Sequence, residues 1–168
     1  GGFDGYRAEN LDDISVSNQN IGLRLTANNN SGDSMFGRVI RSREVLKSDF
    51  TINRASDGSR TVVIPKGDYE FTEVLVGIDF ANQRKLGGRI SARRGDYYDG
   101  DRFQRGVGIS YRPTARYSFN GEFSENEIHL PQGDFTVRLI SLQAQVAFVS
   151  TLSWSNLVQY DNVSEVMG

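Results

Sequence analysis

The chain contains no cysteine, one histidine and three prolines in 168 residues. The first absence removes disulfides, thiolate metal sites and thiol catalysis together. The single histidine, His129, leaves a nucleophile-base pair one place to form. Ser124 falls on the opposite face of the same strand if its alternation continues, and nothing in the spacing brings Ser141 into reach. No reaction is therefore expected, and no cofactor. No apolar run approaches the ~18 residues of a membrane-spanning helix, which excludes such a helix but not strands that cross a bilayer. Lysine is also scarce. All but Lys47, Lys66 and Lys85 of the 19 basic residues are arginine, the residue suited to enclosed, planar pairing with carboxylates. With 21 acidic residues the net charge is −2, and no block of either sign marks a nucleic-acid face.

What is present is period-two alternation. Val74, Val76, Ile78 and Phe80 oppose Glu73, Leu75, Gly77 and Asp79, and Leu86 to Ala92 oppose Gly87 to Arg93 in the same way. The pattern continues over residues 102–112, 116–128, 135–148 and 151–162, and earlier over 21–27 and 35–46. Each segment has one oily and one polar face, which predicts strands. The polar face is rich in Gly, Ser, Asn, Gln and Arg with acidic partners, a composition suited to a crowded barrel lumen. Short connections at 82–84, 113–115 and 149–150 alternate with longer ones at 48–68, 96–101 and 129–134, as in an outer-membrane meander. The expected fold is all-β: an antiparallel up-and-down meander forming a transmembrane β-barrel, or a partial barrel, of about eight strands. Residues 1–168 read as a single domain, less legibly over 1–61, where a change of polarity near Ser17 to Asn20 predicts a bulge or an extra turn. Phe50 to Arg60 read as a long loop or an inserted lid.

Inward parity falls on Glu73, Asp79, Arg89, Arg93, Arg112, Arg116 and Glu122, with Arg102 and Arg138 as further charges, Arg138 having outer-face parity. These residues either line a selective pore or fill a closed lumen by pairing across strands. Val76, Ile78, Ile109, Phe119, Leu142 and Val146 are the expected lipid-facing residues. Asp96, Asp99 and Asp101 supply oxygens of the kind calcium takes but lack the spacing of an EF-hand loop. A turn that caps its own backbone is the simpler reading, and no metal is expected. Tyr97 and Tyr98, beside Phe103, read as part of an interfacial aromatic girdle.

One piece of punctuation occurs twice, as "IPKGDYEF" at 64–71 and "LPQGDFTV" at 130–137. Pro ends a ladder, Gly frees the backbone, Asp is expected to bond back to the turn, and an aromatic restarts a strand. Four expected strands separate the copies, so both belong at one end of the sheet, with Tyr69 and Phe135 marking an interface.

With "VVIPKGDYEF" (62–71), "GDYYDGDR" (95–102), "GISYRP" (108–113), "LPQGDFTVRLISL" (130–142) and "LVQYDNVS" (157–164), residues 62–168 resemble the carboxy-terminal barrel of a family of uncharacterised Gram-negative outer-membrane proteins. Full-length members look like a family 9-type carbohydrate-binding module followed by domain of unknown function 5916. The resemblance implies an outer-membrane barrel, a channel or a membrane anchor, whose partner is the lipid bilayer. Other outer-membrane or periplasmic proteins are possible partners, and saccharide would be bound through an upstream module this chain lacks. The start at Gly1 without methionine and the end after Met167-Gly168 lead us to expect a fragment of a longer chain. Two rivals stand beside this reading: a soluble β-sandwich binding module whose oily faces meet, and an outer-membrane hydrolase using His129 or loop carboxylates.

Overall fold

The computed structural model describes residues 2–8, 17–54, 61–149 and 152–162. Period-two segments become strands: β1 (Gly2–Ala8), β2 (Ser17–Asn28), β3 (Ser34–Leu46), β4 (Phe50–Arg54), β5 (Thr61–Ile64), β6 (Gly67–Phe80), β7 (Leu86–Tyr97), β8 (Gly100–Thr114), β9 (Tyr117–His129), β10 (Phe135–Val149) and β11 (Leu152–Asp161). Nine of them form one antiparallel sheet in the order β1-β2-β3-β6-β7-β8-β9-β10-β11, while β4 and β5 pair separately. The all-β meander is as expected, with β1 as one strand more than the sequence pattern marks. Among the described residues β1 and β11 are free edges, so the meander is open.

Register carries the alternation from strand to strand. One row runs Ala27, Met35, Ile78, Ile90, Val107, Phe123, Ile140 and Tyr160. One residue along β6, and so across the pleat, the row Ser34, Asp79, Arg89, Gly108, Glu122, Ser141 and Gln159 lies on the other face. Because directly paired residues share a face, a nearly unbroken ladder keeps apolar and polar sets apart over the whole sheet. The expected break near Ser17 to Asn20 is absent: β2 pairs with β3 without a shift from Ser17 to Asn28. Backbone pairing overrides the local change of polarity there.

The buried apolar cluster sits at one end of the polar face. Leu46, Val62, Ile64, Ile128 and Leu130 form it, with Ile52, Tyr69, Tyr97, Tyr98 and Phe135 against it. Leu46 on β3 and Ile128 on β9 have β6, β7 and β8 between them, which in a flat sheet would separate them by about 19 Å at the usual strand spacing. Sharing one cluster requires the sheet to curl around the β4–β5 hairpin, with the polar face concave. The hairpin is the only second sheet among the described residues, and it packs on the polar face. The apolar face therefore has no second layer here, unlike a sandwich.

Candidate functional site

The convex face is a band of exposed apolar side chains. Along β10 it runs from Ile140 to Phe148, about nine residues, or roughly 20–25 Å at a 40° tilt, close to the apolar band of a barrel. Of the six expected outward residues, Leu142, Ile109, Val76 and Phe119 are more than 40 % exposed and Ile78 and Val146 half-buried. At the end with the turns 81–85 and 115–116 the band carries Phe80, Tyr111, Tyr117, Phe119, Phe148 and Trp154, with Tyr111 and Phe119 stacked at 6.4 Å. At the other end it stops at ion pairs: Arg41 with Glu70 (2.8 Å), Arg43 with Asp68, and Glu125 between Arg105 and Arg138 (2.5 Å to Arg138). Arg138 takes the outer parity read for it.

The concave face has three zones. At the end where β3, β5 and β9 finish, the hairpin caps it: Ile64 is fully buried, and Tyr97 and Tyr98 meet edge to face at 4.8 Å over Phe71 and Tyr69. Tyr98 holds a two-residue turn with Asp99 at φ +53° and donates its hydroxyl to Glu44 at 3.1 Å. Burial, and then the negative charge of Glu44, push the Tyr98 phenol well above its ordinary 10.0. This corrects the girdle assignment for Tyr97 and Tyr98, and the interface assignment for Tyr69 and Phe135. Tyr69, Tyr97 and Phe135 have inward parity, Tyr98 reaches Glu44 from the turn, and the apolar hairpin offers all four burial. Phe103 has the outward parity. It also corrects the loop at 96–101: β7 and β8 stay paired up to Tyr97 and Gly100.

Below the cap lies a charge network. Glu73, 4 % exposed, accepts from Arg102 Nε at 3.0 Å and faces Arg93 at 3.9 Å. Arg102 stands 4.6 Å from the Tyr97 ring centroid. Burying a carboxylate is costly unless guanidiniums pair with it, and removing one side of such a pair leaves an uncompensated charge. Further along, Asp79 pairs with Arg89. Together with Glu122, Asn120, Gln143 and Ser141 they line an open trough of about 540 Å³. Of the expected inward set, Glu73, Asp79, Arg89, Arg93 and Glu122 meet on this face through the register. Arg112 is exposed beyond the last regular pair of β8 and β9, its amide bonded to the Lys85 carbonyl (2.6 Å). Arg116 lies in the turn after β8, not in the wall.

The remaining candidates separate. Asp96 accepts from the Thr72 amide (3.2 Å), Asp99 from Gln132 (2.5 Å), and Asp101 lies 3.5 Å from His129. Among the described residues no group of three His, Cys, Asp or Glu could hold a metal. His129 has outer parity and Ser124 inner parity, as the alternation requires.

The duplicated motif is brought together. Ile64 and Leu130 join one cluster, and Tyr69 and Phe135 pack against it. Asp68 does not bond back to its turn as expected; it pairs with Arg43 on the neighbouring strand, which holds its carboxyl below the usual 3.8. Sequence alternation missed three residues that matter here, Arg24, Arg38 and Phe36, although all three have inner parity once β2 and β3 are in register. No protein-family model, curated protein or solved structure matches the chain.

Proposed function

We propose that the chain is part of a β-barrel of the Gram-negative outer membrane, serving as a membrane anchor whose lumen is closed at one mouth by the β4–β5 hairpin. One observation carries the reading: the sheet is inside out for water. Its convex face exposes Leu25, Leu142, Ile109 and Val76, while the concave face holds the buried acid Glu73; the other buried acid, Glu125, is confined to the edge of the convex band between Arg105 and Arg138. A water-soluble sheet hides the first set and exposes the second. Lipid is the solvent that reverses this preference, and it demands few charges across the convex band. The aromatic residues at one edge of the band and the ion pairs at the other are consistent with two headgroup regions. The motifs resembling the outer-membrane family support the same assignment, and in such a protein saccharide would bind through an upstream module.

Partition tests the reading. An outer-membrane barrel segment stays in the pellet after carbonate washing and is released by detergent. Recovery in the aqueous fraction without detergent refutes it and favours the soluble module. A channel is the second reading, favoured by the polar trough beside Asp79 and Arg89. Stepwise conductance in planar bilayers distinguishes it from a silent anchor. Neither reading assigns a reaction.

A further inference from the structure

We infer that Arg24, Arg38 and Arg89 form a binding site for a small oxyanion, a carboxylate or phosphate group carried by a soluble solute. The inference rests on the proposed reading only in taking the concave face to be a water-accessible lumen. Arg24 and Arg38 are direct cross-strand partners on β2 and β3. Like charges directly opposite each other repel, and no carboxylate of residues 20–52, 61–149 or 152–162 lies at ion-pair distance from either. The Arg38 Nε is buried without a hydrogen-bond partner, a costly state unless an acceptor arrives.

The surroundings keep a place for one. A Cβ at position 22 would stand 3.1 Å from the Arg38 Nε, so Gly22 is what lets that guanidinium lie down over β2. A Cβ at position 77 would strike the Phe36 ring at 2.4 Å, so Gly77 lets the ring lie across β6 as a floor. Arg89 and Arg24 stand 5.5 and 6.0 Å from the centre of that ring. Arg24, Arg38 and Arg89 with Phe36, Leu75 and Ser91 bound a cavity of about 250 Å³, below the usual range for drug-sized ligands. Arg89 is already shared with Asp79, which leaves two guanidinium forks to grip the anion in the planar, two-point manner that carboxylates and phosphates accept. Phe36 favours a solute with an apolar ring face beside its acid.

The test is calorimetric titration of the whole chain in a maltoside detergent, with inorganic phosphate and with glucuronate at fixed ionic strength. Saturable binding is expected, each probe displacing the other. Arg24→Gln and Arg38→Gln should each weaken it by about tenfold or more, from loss of one charge-assisted contact. Arg41→Gln, on the convex face, should leave it unchanged. Absence of saturation with the unmodified chain overturns the site even if both variants fail to fold, and so does equal affinity in the Gln variants. Asp4 takes the register position opposite Gly22; binding that appears only in Asp4→Asn also overturns the proposal, because a protein carboxylate would then fill the site. The membrane reading fails separately. A chain that stays in water without detergent and still binds phosphate loses the barrel and keeps the anion site.

Discussion

Arg102 on β8 reaches Glu73 on β6 over the bare backbone of Gly95 on β7, with Nε 3.0 Å from Oε1. The three residues occupy one row of the register, and the middle position carries no side chain. A Cβ at position 95 would stand 2.2 Å from the Thr72 carbonyl oxygen and 2.5 Å from the Glu73 Cα. Glycine at position 95 is thus required by the close approach of the β6 backbone.

Glu73→Ala strands Arg102 and Arg93 on a largely buried surface and should cost about 3–5 kcal/mol. Urea titration of the chain folded in detergent measures it. A loss below about 1 kcal/mol, the scale of an exposed pair, would mean the network is solvated. Gly95→Val should abolish the register between β6 and β7, read as loss of the folded band on unboiled gels.

Leu142→Arg and Ile78→Arg place a charge in the convex band and should each cost roughly 2–4 kcal/mol for folding into vesicles. Gln143→Arg, on the concave face beside them, should cost much less. Equal effects at positions 142 and 143 would remove the assignment of faces.

Ile64 is the best-buried side chain of the hairpin cap, and Ile64→Ala should cost about 2–5 kcal/mol locally. The cap then opens before the sheet does. Proteolysis between Lys47 and Lys66 should rise while the sheet remains protected, and conductance should appear in planar bilayers if the hairpin is what closes the mouth. Unchanged proteolysis would show that the cap is held elsewhere.

Asp33 ties two turns together: its carboxylate accepts from the Ala81 amide (2.9 Å), from Asn29 (3.2 Å) and from Arg84 (3.1 Å). The Ala81 amide, then Asn29 and Arg84, hold its carboxyl below the ordinary 3.8. A depressed native value stabilises the fold above the unfolded value, and that contribution is lost as pH falls through the native one. Stability of the unmodified chain should therefore drop below about pH 4 more steeply than that of Asp33→Asn. Parallel curves would show that the carboxylate gains nothing from these donors. The neighbouring Gly32, at φ +85°, completes the turn, and Gly32→Ala should destabilise it through that conformation and through an added Cβ 3.2 Å from the Ala81 and Gln83 side chains.

Strand existence and facing were legible wherever alternation ran unbroken. Val76, Ile78, Ile109, Phe119, Leu142 and Val146 share the convex face, and Glu73, Asp79, Arg89, Arg93 and Glu122 the concave one, because a period of two leaves a side chain only two directions. Arg116 has wall parity when counted from Tyr117 but lies in the turn, because alternation continues through a turn on paper and not in space. The loop at 96–101 was read too long: Asp and Gly there suggested irregular chain, whereas the ladder persists and Tyr98 alone takes the left-handed conformation.

The amino-acid sequence by itself determined eight of the nine strands of the meander, their oily and polar faces, and the placing of both Pro-Gly-Asp motifs at one end, since all three follow from local periodicity and an even strand count. Only the tertiary structure decided what the motifs do there. Ile64 and Leu130 belong to strand ends brought together by curvature, and curvature is a property of the whole sheet packed around its hairpin. The same cause packs Tyr69, Tyr97 and Phe135 against the hairpin, and sets Arg102 over Gly95 and Arg38 over Gly22. No spacing along the chain encodes those contacts, because each depends on how far a neighbouring strand is bent toward it.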